Sequence, residues 1–265
     1  MTAAQPILRL DSISKRFGGL SVIDNLSFAV RRGTRTALIG PNGAGKTTVF
    51  NLITGVFPVD AGRILLDGGD ITGVPSRRRI GHGIARSFQN IRLMPHLSTL
   101  ENVMVGQHCR NGRLAGVLQP VNLVPRNRWR SEARAALADA GLADYERSTV
   151  GSLPYGVQKR IELVRALMAQ PRLLLLDEPA AGLNAAETDA LQAQLEAICV
   201  RHELSLMVVE HDMHFIGALC DEVIVLDFGR KIAEGTPEEI RRNALVRETY
   251  LGAQAVERLE PHDAS

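Results

Sequence analysis

Apolar and polar residues alternate through Ile7-Leu8-Arg9-Leu10 and Leu26-Ser27-Phe28-Ala29-Val30, the period of strands buried on one face. Ala37-Leu38-Ile39 is a short apolar run that feeds a glycine-rich turn, and Ile64-Leu65-Leu66 runs into the turn Asp67-Gly68-Gly69. From about residue 90 the period changes to that of helices. Ser98-Thr99-Leu100-Glu101 predicts a capping box, with Ser98 as N-cap and Glu101 reaching back. Arg130–Ala140, rich in Ala and Leu, predicts a helix, and Asn111–Pro125, with two prolines and two glycines, predicts a loop or broken helix. Val157, Ile161, Val164 and Leu167 then form the apolar stripe of an amphipathic helix that starts near Gly156.

After residue 172 the strands return as continuous apolar runs, Leu173–Leu176, Leu206–Val209 and Val223–Leu226, the pattern of strands covered on both faces in a parallel sheet. Helical stretches near 185–200 and 212–219 separate them. Asp227-Phe228-Gly229-Arg230 predicts a hairpin leading to Lys231–Ala233, and Thr236 with Pro237 predicts a capped final helix. The whole reads as a nucleotide-type α/β core with a helical insertion.

Composition narrows the classes. Of 265 residues 45% are hydrophobic and 23% charged, enough for a large core under a polar surface. A net charge of +2 argues against sequence-independent nucleic-acid binding. No apolar run reaches the roughly 20 residues of a membrane span, and MTAAQPILRLD lacks a secretory pattern. Cys109, Cys199 and Cys220 are scattered and show no metal-ligand spacing, so a reducing cytosol is expected. Arg77–Arg79, with Arg126, Arg128, Arg130 and Arg134, fits a solvated face or a surface meeting anionic lipid or a permease.

Candidate chemistry sits at two strand ends. Gly40, Pro41, Asn42, Gly43, Ala44, Gly45, Lys46 and Thr47, followed by Thr48, complete G-x-x-x-x-G-K-T between a predicted strand and a predicted helix. Glycines there let successive N–H groups curl round phosphate oxygens; Lys46 supplies a charge for the β- and γ-phosphates, and the Thr47 hydroxyl suits Mg²⁺. A nucleoside triphosphate with Mg²⁺ is the expected ligand. Leu173–Leu176 ends in Asp177-Glu178-Pro179. Asp177 is placed to hold Mg²⁺ directly or through water, and Glu178 to orient or deprotonate an attacking water.

With these motifs in order, the chain resembles the ATP-binding subunit of ABC transporters over nearly its entire length. The resemblance implies a P-loop ABC-type ATPase fold: a RecA-like parallel-sheet core, an antiparallel β subdomain and a helical subdomain insertion. The core would comprise residues 1–89 and 166–265, and the helical subdomain residues 90–165. It implies that the nucleotide is ATP, that Phe17 stacks on adenine and that Gln89 contacts Mg²⁺ and the attacking water. His211 would contact the γ-phosphate, and Asn184, in Ala181-Gly-Leu-Asn184, would lie in a loop crossing a dimer interface. Leu153, Pro154, Tyr155 and Gly156 stand where the family places Leu-Ser-Gly-Gly-Gln, the signature that binds the γ-phosphate held by the other subunit. Pro154 replaces the serine, Tyr155 the first glycine and Val157 the glutamine, while the helix N-terminus at Gly156 persists as an anion site.

Leu153-x-Tyr-Gly-x-Gln158, Ala180-Ala-Gly-Leu-Asn184, Lys15-Arg-Phe-Gly-Gly19, Glu234–Ile240 and Tyr250-Leu-Gly252 are similar to the branched-chain amino acid importers of bacteria. That similarity implies a homodimer, or a heterodimer with a paralogous ATPase, two membrane permease subunits and an extracytoplasmic substrate-binding protein. It places the chain peripherally on the cytoplasmic face of the inner membrane, with no nucleic acid partner. Urea or amide import, lipopolysaccharide extraction and a soluble non-transport ATPase are the alternatives.

Overall fold

The computed structural model describes residues 5–87, 91–107 and 126–248. Gln89 and the loop expected at Asn111–Pro125 lie outside the described residues. The chain forms two units, Met1–Val74 with Ser205–Ser265, and Pro75–Leu204.

The first unit holds an antiparallel sheet in the order β2-β1-β4-β5, formed by β1 (Pro6–Phe17), β2 (Leu20–Arg31), β4 (Ala61–Leu66) and β5 (Gly69–Asp70). Register explains why alternation sufficed to predict it. Leu8 stands opposite Val30 and Leu66, and Leu10 opposite Phe28 and Ile64, so one face collects buried residues from three strands. The same unit carries β3 (Arg35–Ile39) between two parallel neighbours, β8 (Ser205–Val209) and β9 (Glu222–Asp227). Ala37, Leu38 and Ile39 are fully buried, as continuous apolar runs require. Strand β10 (Arg230–Gly235) returns antiparallel to β9 through the expected hairpin. Helix α8 (Pro237–Arg242) opens with the expected Thr236 cap, here a full capping box with Glu239.

The second unit pairs β6 (Ile84–Arg86) in parallel with β7 (Leu173–Asp177). Its helical core joins α3 (Thr99–Val105), α4 (Arg126–Asp139) and α5 (Tyr155–Leu167) around Leu100, Val103, Leu137, Val150, Ile161 and Val164. The Ser98–Glu101 capping box is present, with Ser98 N donating to Glu101 Oε2 at 2.8 Å. Helix α5 departs from a single apolar stripe. Ile161 and Val164 are buried as expected, but Lys159, Glu162 and Leu163, on other sides of the helix, are buried too. Helix α6 (Ala185–His202) begins at Asn184.

Candidate functional site

The phosphate loop follows β3 in the first unit, and helix α1 (Lys46–Ile53) follows the loop. Two of its three glycines are crowded, while the third, Gly43, faces open space at a φ of 82°. A Cβ on Gly40 would lie 2.1 Å from Leu226 O, and one on Gly45 would lie 2.7 Å from Ile23 Cδ1, with φ at 98°. Lys46 Nζ donates to Gly40 O at 2.6 Å and to Pro41 O at 2.8 Å, so the ammonium closes over the loop's own carbonyls. A phosphate oxygen, carrying more charge than a carbonyl, would compete for that ammonium. Ala44 is buried and Thr47 exposed, while Thr48 is half-buried.

Because β8 pairs with β3, Leu38 facing Val209, residue 211 leaves the sheet at the same end as the loop. His211 is exposed there, with its Nδ1 3.7 Å from Oε2 of Glu210, which is buried and accepts the His211 backbone N–H at 3.1 Å. Phe17, at the end of β1, is 39% exposed and meets Phe57 edge-on at 5.1 Å. An exposed aromatic held from one side offers its other side for stacking. Lys15 Nζ lies 5.4 Å from the Phe17 ring and 2.7 Å from Asp60 Oδ1, and that hydrogen bond holds the Asp60 carboxyl below the usual carboxylate range.

In the second unit, β7 delivers Asp177 and Glu178 together. Asp177 is buried, and its Oδ2 accepts from Arg86 Nη2 at 2.7 Å across the β6–β7 pair. Glu178, half-buried, sits in the left-handed region at φ 47°, where a side chain is costly and backbone strain is held by its surroundings. The following loop closes with Ala181 N donating to Glu178 O at 3.2 Å, then reaches Asn184, whose side chain accepts from Glu187 N at 3.0 Å. Glu187 in turn accepts from Asn184 N, completing a capping box for α6.

Pro154 is the N-cap of α5 and supplies no side-chain hydrogen bond, so the first-turn N–H groups receive no cap from that residue. Tyr155 is 44% exposed, Leu153 half-buried and Gly156 buried, with Glu187 Oε1 only 2.5 Å from where its Cβ would stand. The helix begins at Tyr155, one residue earlier than Gly156.

Each unit therefore gathers its own share of the expected residues: Phe17, residues 40–48 and His211 in the first, Asp177, Glu178, Asn184 and residues 153–156 in the second. Other participants escape the motifs. Lys159, Glu162 and Arg86 are charged, so polarity alone assigns them to solvent, yet all three have buried side chains. The Asn184-x-x-Glu187 spacing does carry a sequence signal, that of a capping box. Among the described residues no group of three or more His, Cys, Asp or Glu is placed to hold a metal.

Comparison with known proteins adds to this geometry. Residues 23–181 match the family described as ABC transporter, and residues 230–256 match branched-chain amino acid ATP-binding cassette transporter. The chain is 39% identical over 252 residues to the high-affinity branched-chain amino acid transport ATP-binding protein BraF of Pseudomonas aeruginosa, covering 94% of this chain and 99% of that one. It is 38% identical over 255 residues to LivG of Escherichia coli, described in the same words, with 94% and 99% covered. Among solved structures, an ATP-binding cassette of an ABC transporter in its ADP conformation superposes with a TM-score of 0.83 at 28% identity, covering 94% of this chain and 100% of that one.

Proposed function

The chain belongs to the ATP-binding cassettes of ABC transporters, a family of ATPases, and from that premise we propose that it energises import of branched-chain amino acids. The observation that carries the substrate is the match of residues 230–256 to the branched-chain type, in a chain that also carries the complete phosphate loop.

In this reading the N–H groups of residues 40–48 and the ammonium of Lys46 bind the phosphates, and Phe17 stacks on the adenine. The donor set suits Mg²⁺, which keeps several waters and takes only one or two protein oxygens beside the phosphates. Thr47 and Asp177, with Gln89, would supply those protein contacts. When bound, Mg²⁺ neutralises charge on the transferring phosphoryl group. Glu178 orients and accepts a proton from the attacking water, and His211 donates to the γ-phosphate. Leu153–Gly156 presents the α5 N-terminus to the nucleotide held by a second ATPase copy, identical or paralogous. Functionally, residues 90–165 form the helical subdomain and the remainder the nucleotide-binding core.

No helix among the described residues is long and apolar enough to cross a membrane, so attachment falls to partners: two permease subunits, served by an extracytoplasmic binding protein. The chain would sit peripherally at the cytoplasmic face of the cell membrane. Affinity purification of the tagged chain from detergent-solubilised native membranes tests this assembly. Two co-purifying multi-span permeases are expected; ribosomes or DNA in their place would overturn it.

A further inference from the structure

Helix α5 starts at the signature and ends in the helical core, and one of its buried charges points to the catalytic loop. Lys159 is 7% exposed. A lysine so deep must be matched by nearby polar or charged groups, or desolvation would expel it. Its Nζ lies 3.4 Å from the backbone carbonyl of Glu178, within donating distance, and 5.5 Å from the centre of the Tyr155 ring. Glu162 follows three residues along the same helix, buried, its carboxyl pushed up by burial and partly offset by charges that include Lys159.

The residue whose carbonyl Lys159 engages, Glu178, is itself in a left-handed conformation, at φ 47°. Such a conformation persists only where contacts enforce it. Two donors meet that carbonyl, Ala181 N from the loop itself and Lys159 Nζ from α5. Tyr155 adds a second tie between helix and loop, since a Cβ on Gly182 would come within 3.2 Å of Tyr155 Cε1. The side chain that replaces the first signature glycine thus lies against the loop following Glu178, one helical turn from Lys159.

We infer that Lys159 is a positioning residue: through the Glu178 carbonyl it holds the backbone at 178 in the conformation that aims the Glu178 carboxylate, and with Tyr155 it ties the signature end of α5 to that loop. The consequence is mechanical. Anything that shifts the start of α5 moves the ammonium one turn away and with it the catalytic backbone of the same chain. This rests on the reading of Glu178 as the residue that activates water.

Single-turnover and steady-state hydrolysis of Mg-ATP by the full chain, in the Glu178 and Glu178→Gln backgrounds, test it. Lys159→Met should lower kcat about tenfold with KM for ATP within about twofold, because the phosphate-binding groups are untouched. In the Glu178→Gln background it should cause no further loss, since Lys159 acts through that carboxylate. Lys159→Gln, which keeps an N–H donor without the charge, should fall between and serves if the Met variant does not fold. An equal further loss in the Glu178→Gln background would make Lys159 a general structural pin and overturn the inference. So would unchanged kcat for Lys159→Met while Glu178→Gln is inactive. Normal turnover by Glu178→Gln alone would instead overturn the reading of Glu178 itself.

Discussion

Two side chains show how much a single charge controls. Lys46 closes on Gly40 O and Pro41 O at 2.6 and 2.8 Å, positions from which it can exchange carbonyl partners for phosphate oxygens. Lys46→Ala should remove a charge-assisted contact of about 1.5–3 kcal/mol, weakening ATP roughly ten- to a hundredfold in equilibrium binding. Unchanged affinity would detach Lys46 from the nucleotide. Glu162 is the second case. It accepts from the Arg92 backbone N–H at 3.0 Å, yet burial raises its carboxyl above the ordinary value of 4.5. A carboxyl raised in the folded state contributes stability below its unfolded value, and that contribution is lost as pH rises through the folded one. Glu162→Gln does not titrate. Its stability relative to wild type should therefore climb from pH 4 upwards and level off once the folded value is passed, as urea unfolding across the pH range will show. A flat difference would mean that Glu162 ionises in the fold as easily as in the unfolded chain.

At the scale of elements, α5 and α6 meet where the signature begins. Glu187 caps α6 with Asn184 and occupies the space that a Gly156 side chain would need, 2.5 Å from Oε1. Asn184→Ala should lower stability by about 1 kcal/mol through loss of the cap. Gly156→Asp should do more, pushing the Glu187 carboxylate aside and repelling it, and hydrolysis should fall. Adding Glu187→Ala should recover stability but leave hydrolysis low if Gly156 also faces a nucleotide; recovery of both would leave Gly156 a packing position alone. The elements themselves were legible because their periods are imposed by burial. β3, β7, β8 and β9 are continuous apolar runs, and Ser98, Thr236 and their glutamates announce helix starts. What stayed hidden depends on partners far along the chain. Arg86 finds Asp177, Arg92 finds Glu162, and Lys159 finds the Glu178 carbonyl, none of which a local pattern can pair. Helix α5 misleads for the same reason: with two buried sides, its charged positions do not mark the solvent face.

For the whole molecule, the proposed reading has ATP link two ATPase copies. If Glu178 activates water, Glu178→Gln should bind ATP, hydrolyse it very slowly and accumulate as an ATP-held dimer with itself or a paralogous ATPase. Gel filtration showing only monomer with ATP and a suitable partner would count against that sandwich. The motifs of the phosphate loop and the Asp177-Glu178 strand were legible because their chemistry confines residue types at fixed spacing. The transported molecule is another matter, since no residue of an ATPase subunit need touch it, and that part rests on similarity to BraF and LivG. The most direct test is therefore uptake of radiolabelled leucine, isoleucine and valine by cells deleted for this chain and complemented with wild type or Glu178→Gln. Uptake should be lost on deletion, restored by the wild type and not by Glu178→Gln. Undiminished branched-chain uptake, with a defect confined to urea or another solute, would contradict it.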